Sequence, residues 1–120
     1  MSIDDDVALL ERVPTLRLLG RESLRMLAIG SEQKEVPQGD FLFQQGDDAD
    51  SGFVIQHGSF RVDDGAGAEM TVGPGTLLGE LALVVRMRRP SSATALEYAT
   101  VIRITRSLFQ RVLESDPSAA

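Results

Sequence analysis

Cysteine is absent from this 120-residue chain, and histidine occurs once, as His57. Without thiols there is no disulfide and no thiolate metal site, which suits a reducing compartment. One imidazole leaves no His-based metal cluster and no Ser-His or Cys-His pair to act as a nucleophile. Positive charge is also scarce: 12 basic residues stand against 18 acidic ones, a net charge of −6. Such a surface repels a phosphate backbone, so nucleic-acid binding by this chain alone is not expected. No apolar run approaches the roughly 20 residues that a membrane span needs. The first residues, "MSIDDDVALL", put acids where a signal peptide carries basic residues. Repeats and low-complexity tracts are missing too. These absences predict a soluble cytoplasmic protein that is not an enzyme and carries no cofactor or metal.

What is present fits one domain spanning 1–120 with a single core, since 42% of the residues are hydrophobic. Residues 4–29 read as helical. Val7, Leu10, Val13 and Leu16–Leu19 make an apolar stripe that Pro14 interrupts; Leu24, Leu27 and Ala28 resume it after Gly20. Asp4, Asp5 and Asp6 suit a first helical turn, and Gly30 suits a C-cap.

From 34 to 104 the period changes. Short apolar or alternating segments recur at Glu35–Val36, Phe41–Phe43, Phe53–Gln56, Phe60–Val62, Met70–Val72, Ala93–Leu96 and Thr100–Ile104. Glycines at positions 39, 46, 52, 58, 65, 67, 73 and 75 punctuate them, and short strands with recurrent turn signals suggest an antiparallel sandwich or barrel. His57-Gly58 reads as a hairpin turn. After residue 105 the helical period returns, with Leu108, Phe109, Val112 and Leu113 on one face and Ser107 as N-cap. Asp116-Pro117 then signals a further helix start. The expected fold class is mainly β with flanking helices: helices over 1–30, a β unit over 34–104, and a C-terminal helix over 105–120.

One stretch, "GELALVVRMRRPSSATA" (79–95), combines a glycine, an acid and three arginines. A helical turn starting at Gly79 would point free backbone N–H groups outward and attract an anion. Arg89 could neutralise that anion with a two-pronged grip, and Glu80 could accept from a sugar hydroxyl. A phosphate beside a sugar hydroxyl is a nucleotide fragment. An ordinary helix start and a solvated face of Arg86, Arg88 and Arg89 account for the same residues on composition alone.

"LLGELAL" followed by "RPSSATA" resembles the phosphate-binding cassette of the cyclic nucleotide-binding domain family. "VPQGDFLFQQGDDADSGFVIQHGSFRV" resembles that family's first strands, "LLERVPTLRLLG" its opening helices, and "VIRITRSLFQRVLESDP" its last strand and following helix. Nearly the whole chain is covered. The resemblance implies an antiparallel, jelly-roll-like β-roll with a cassette over 78–92, and a non-enzymatic sensor that binds cyclic AMP or cyclic GMP. It implies that Glu80 takes the ribose 2′-hydroxyl, and that Gly79 and the amides of Glu80, Leu81 and Ala82 line the cassette, with Leu81 and Leu83 as core supports. Counting from Glu80 without gaps puts the phosphate-binding arginine on Arg89; anchoring on P-x-x-A-T puts Ser91 there. The gap-free register favours Arg89. Pro90 has no N–H to offer, so Ser91 or Ser92 must donate instead. The lid helix of the family would begin near Asp116, which predicts a truncated or absent lid. A homodimer, a partner protein or an effector domain all remain open. A ligand-free interaction module, or the sensory half of a transcription regulator resembling the catabolite activator protein, are the alternatives.

Other residues read more simply. His57 is surface decoration in a turn, and Asp47, Asp48, Asp50 and Ser51 form a solvated turn without the spacing of a calcium loop. Asp63 and Asp64 belong to a hairpin tip. Phe41, Phe43, Phe53, Phe60 and Phe109 are core, and Tyr98 sits between strands.

Overall fold

The computed structural model describes residues 2–115. Three helices come first: α1 (Ile3–Glu11), α2 (Pro14–Arg17) and α3 (Arg21–Gly30). Ser2 and Asp5 close a capping box on α1, and Asp4–Asp6 fill its first turn as expected. Pro14 takes the first turn of α2, where its missing N–H costs nothing.

Ten strands follow: β1 (Glu32–Val36), β2 (Phe41–Phe43), β3 (Asp48–Ala49), β4 (Ser51–His57), β5 (Phe60–Asp63), β6 (Glu69–Val72), β7 (Leu77–Leu78), β8 (Met87–Arg88), β9 (Ser92–Ala95) and β10 (Ala99–Thr105). One sheet runs β1-β10-β4-β7, the second β2-β9-β5-β6, and β3 pairs with β8 as a small ribbon. Every pairing is antiparallel. Helix α4 (Arg106–Ser115) ends the described chain. The expected helix start at Asp116-Pro117 lies outside the described residues.

The apolar residues divide into two clusters. Phe43, Phe53, Ile55, Phe60, Ala93 and Val101 fill the space between the two four-stranded sheets. Val7, Leu10, Leu24, Leu27, Leu108 and Val112 cover the outer face of the first sheet, against Val54, Ile102 and Ile104. β4 is therefore buried on both faces, its residues alternating between the clusters with the period of two that a strand imposes.

Several details differ from the sequence reading. The first strand begins at Glu32, two residues earlier than expected. Gly30 is the last residue of α3, not a left-handed cap; a Cβ there would lie 2.6 Å from Leu108 Cδ1, so the glycine lets α3 and α4 approach. Thr105, not Ser107, caps α4, its Oγ1 accepting from the Leu108 N–H at 3.1 Å. Asp48 belongs to a strand, and Ser51 is a buried strand residue rather than part of a solvated turn. Phe41 faces out of β2 and is half exposed, whereas Phe43, Phe53 and Phe60 are core. His57 is exposed, as expected, and Tyr98 lies between β9 and β10, as expected, with its ring exposed.

Candidate functional site

The stretch after β7 turns sharply. Gly79 adopts φ 76° and ψ 31°, and Glu80–Leu83 then form a single 3-10 turn, tighter than an α-helical start. The Ala82 N–H closes it on Gly79 O at 3.1 Å. Leu83 anchors the turn in the helical cluster. Leu81, expected to be a second support, is 57% exposed. A four-residue turn has one inward face, and Ala82 and Leu83 occupy it.

Six residues past the end of the turn, Arg89 returns to the same place. Its backbone is pinned to the β2–β3 turn: its N–H donates to Asp47 O at 2.8 Å, and its carbonyl accepts from the Gly46 N–H at 2.8 Å. The side chain runs inward and is 5% exposed. Its guanidinium carbon sits 4.4 Å from the centre of the Phe43 ring and 5.5 Å from that of Phe53. Nη2 donates to Ser51 O at 2.9 Å. Nε and Nη1 are buried with no partner. Burial pushes the guanidinium pKa down, Asp50 and Asp47 pull it back up, and Arg103 and Arg106 push it down again. An arginine stays charged under such pressure, so a desolvated cation stands here with unused donors and no carboxylate paired to it.

Gly79 is what lets Arg89 lie there. A Cβ at position 79 would run into Arg89 Nη1 and would lie 3.2 Å from Ser51 O. The positive φ asks for glycine as well. Gly52 serves the same end: a Cβ there would crowd Leu77 and Leu83 beneath the turn.

Around these groups lies a cavity of about 290 Å³, walled by Phe43, Val62, Leu77, Leu78, Met87 and the turn itself. Gly79, Glu80, Leu81, Ala82, Arg89, Pro90 and Ser91 all border it. The cavity lies near the lower size limit for small-molecule sites, apolar with few polar groups converging. Ser92 stands outside that wall and accepts the Gln45 N–H at 2.9 Å. Glu80 is exposed, and its Oε1 accepts from the Thr15 hydroxyl at 2.9 Å. Arg86 and Arg88 do not join Arg89. They border a separate open groove with Asp48, Asp50 and Arg106, where opposite charges offset one another.

Two further residues were not legible beforehand. Ser51 supplies the carbonyl that holds Arg89. Arg106, at the start of α4, donates from Nε to Ala82 O at 2.8 Å and from Nη2 to Ala49 O, clamping the 3-10 turn to α4 and β3. Their only sequence signal is a small polar residue and an arginine beside strands, which many surface positions share. Among the described residues no group of three metal-ligating side chains forms, and no helix is long and apolar enough to cross a membrane.

Known proteins are similar to this chain in sequence and fold. Residues 33–116 match the family model described as cyclic nucleotide-binding domain. The solved structure of a cyclic nucleotide-binding-like protein from Brucella abortus superposes with a TM-score of 0.81 at 37% identity, covering 92% of this chain and 99% of that one. An uncharacterized NTE family protein of Mycobacterium tuberculosis is 32% identical over 111 residues, covering 90% of this chain. The type II regulatory subunit of cAMP-dependent protein kinase of Drosophila melanogaster is 30% identical over 103 residues, covering 86% of this chain. The chain spans 19% of the first relative's length and 27% of the second's.

Proposed function

The chain belongs to the cyclic nucleotide-binding domain family, and on that premise we propose that it is a sensor whose β-roll cavity binds cyclic AMP or cyclic GMP. Domains of this family are regulatory rather than catalytic. The reading rests on one observation above the others: Arg89 is buried at the cavity with Nε and Nη1 unpartnered. An uncompensated buried cation is costly, and a bound phosphate relieves it with charge-assisted hydrogen bonds.

The remaining roles follow from position. The phosphate sits against Gly79 and the amides of Glu80 and Leu81, which precede the first closing bond of the turn. The Ala82 amide is already spent on Gly79 O, so Ala82 shapes the turn rather than donating to the ligand. Pro90 offers no N–H, and Ser91 at the cavity wall is the donor that replaces it. Ser92 supports Gln45 in the adjoining loop. Glu80 accepts the sugar hydroxyl. The unit acts as one domain, with residues 78–92 as its cassette, and works by population shift: a ligand that prefers one position of the turn moves the helices clamped to it. In relatives of greater length the module is one part of a larger chain, so an effector domain or partner protein is the proposed recipient of the signal.

Calorimetric titration with cyclic AMP and cyclic GMP, beside Arg89→Ala and Glu80→Ala, tests this. Binding that Arg89→Ala abolishes supports the sensor and its register. Binding unchanged in Arg89→Ala refutes the register, and no binding of either nucleotide to the unaltered chain refutes the sensor.

A further inference from the structure

Glu80 has a place on two cavities. Besides the one that holds Arg89, it borders a second of about 240 Å³ between α2, the 3-10 turn and α4, lined by Thr15, Leu16, Leu83, Val84 and Phe109. Thr15 borders the second cavity and not the first. Its hydroxyl nevertheless holds Glu80 Oε1 at 2.9 Å, across 65 positions of sequence. The Thr15 hydroxyl thus occupies one oxygen of a carboxylate that borders both cavities.

We propose that Thr15 and the sugar hydroxyl of the ligand compete for the Glu80 carboxylate, which makes Thr15 the residue that limits the preference for a ribo over a 2′-deoxy cyclic nucleotide. The inference rests on the sensor reading above. A hydroxyl bound to a carboxylate is a charge-assisted pair, and a ribose hydroxyl that takes the same Oε1 displaces it. The ligand then regains, through its own hydroxyl, only the difference between two similar bonds. A ligand without the 2′-hydroxyl leaves Glu80 on Thr15 and α2 undisturbed. Capture of Glu80 by a ribose releases α2, a four-residue helix, from its side-chain tie to the turn. Thr15 is exposed, so its replacement leaves both apolar clusters intact.

The test titrates the full chain, Thr15→Val and Thr15→Ser with cyclic AMP and with 2′-deoxy cyclic AMP. Thr15→Val keeps the shape and removes the donor. It is expected to tighten cyclic AMP binding about fivefold, the scale of one lost hydrogen bond to a charged, exposed group. Binding of the 2′-deoxy form stays unchanged, and Thr15→Ser returns the ratio of the two affinities to that of the unaltered chain. A purely structural effect of the substitution moves both ligands alike. Equal changes for both ligands, or weaker cyclic AMP binding in Thr15→Val, overturn the competition. If the unaltered chain binds neither ligand, the sensor reading itself fails and this inference falls with it. Thr15→Ala, which removes donor and branch together, must change the ratio in the same direction.

Discussion

Arg89 carries a positive charge into an apolar wall and leaves part of its donor set idle. Replacing a buried charge by an apolar side chain of similar volume is often neutral or stabilising. Arg89→Met should therefore unfold, without ligand, within about 1 kcal/mol of the unaltered chain in urea titration, or somewhat later. Calorimetry should detect no cyclic nucleotide binding to it. A large loss of stability would instead make the guanidinium a strut that holds β4 through Ser51 O. Gly79, Glu80 and Arg89 were legible because their chemistry lies within one short stretch of sequence. Ser51 and Thr15 were not: they reach Arg89 and Glu80 across 38 and 65 positions, and only the folded chain brings them together. Leu81 misled because an apolar residue in a 3-10 turn has fewer inward positions than an α-helix supplies.

Among the elements, the long ones announced themselves. β4 and β10 are rich in branched and aromatic residues, and α3 and α4 keep a clear helical stripe. The β3–β8 ribbon did not, because two residues per strand are too few to show a period. Gly30 looked like a helix stop, yet it is a contact point. Its neighbour is Leu108 of α4, and no left-handed conformation is involved. Gly30→Ala should destabilise the chain by about 1–2 kcal/mol, because overpacking against Leu108 exceeds the gain of about 1 kcal/mol in helix propensity. In a Leu108→Ala background the same substitution should become neutral or stabilising. Thermal melts of the four proteins give that coupling directly. Additive effects would mean that α3 and α4 can slide apart at no cost.

At the scale of the whole molecule, the first sheet is shared by both apolar clusters, and ion pairs secure its margin. Arg103 on β10 bonds Glu32 of β1 at 2.8 Å and Asp50 beside β4 at 3.3 Å. For Asp50, burial pushes the carboxyl pKa up, but the Ser51 hydroxyl and Arg103 outweigh it and hold the pKa below the ordinary value. A carboxyl depressed in the folded state stabilises above its ordinary pKa, and that contribution disappears as pH falls through the folded value. Melting temperatures followed from pH 7 down to about pH 2 should fall below about pH 4, and Asp50→Asn should flatten part of that fall. An unchanged acid limb would show the pair to be without effect on stability. Asp6 acts with the opposite sign: burial raises its pKa, so its contribution fades as pH rises. The two arginines that organise the site share one habit. Arg89 binds Ser51 O, and Arg106 binds Ala49 O and Ala82 O. A main-chain carbonyl is the same at every residue. Mutational drift at positions 49 and 82 is thus limited by the size that fits, not by chemistry, while positions 89 and 106 tolerate no such drift. The wiring between the Arg89 cavity and α4 is encoded chiefly at its cationic ends.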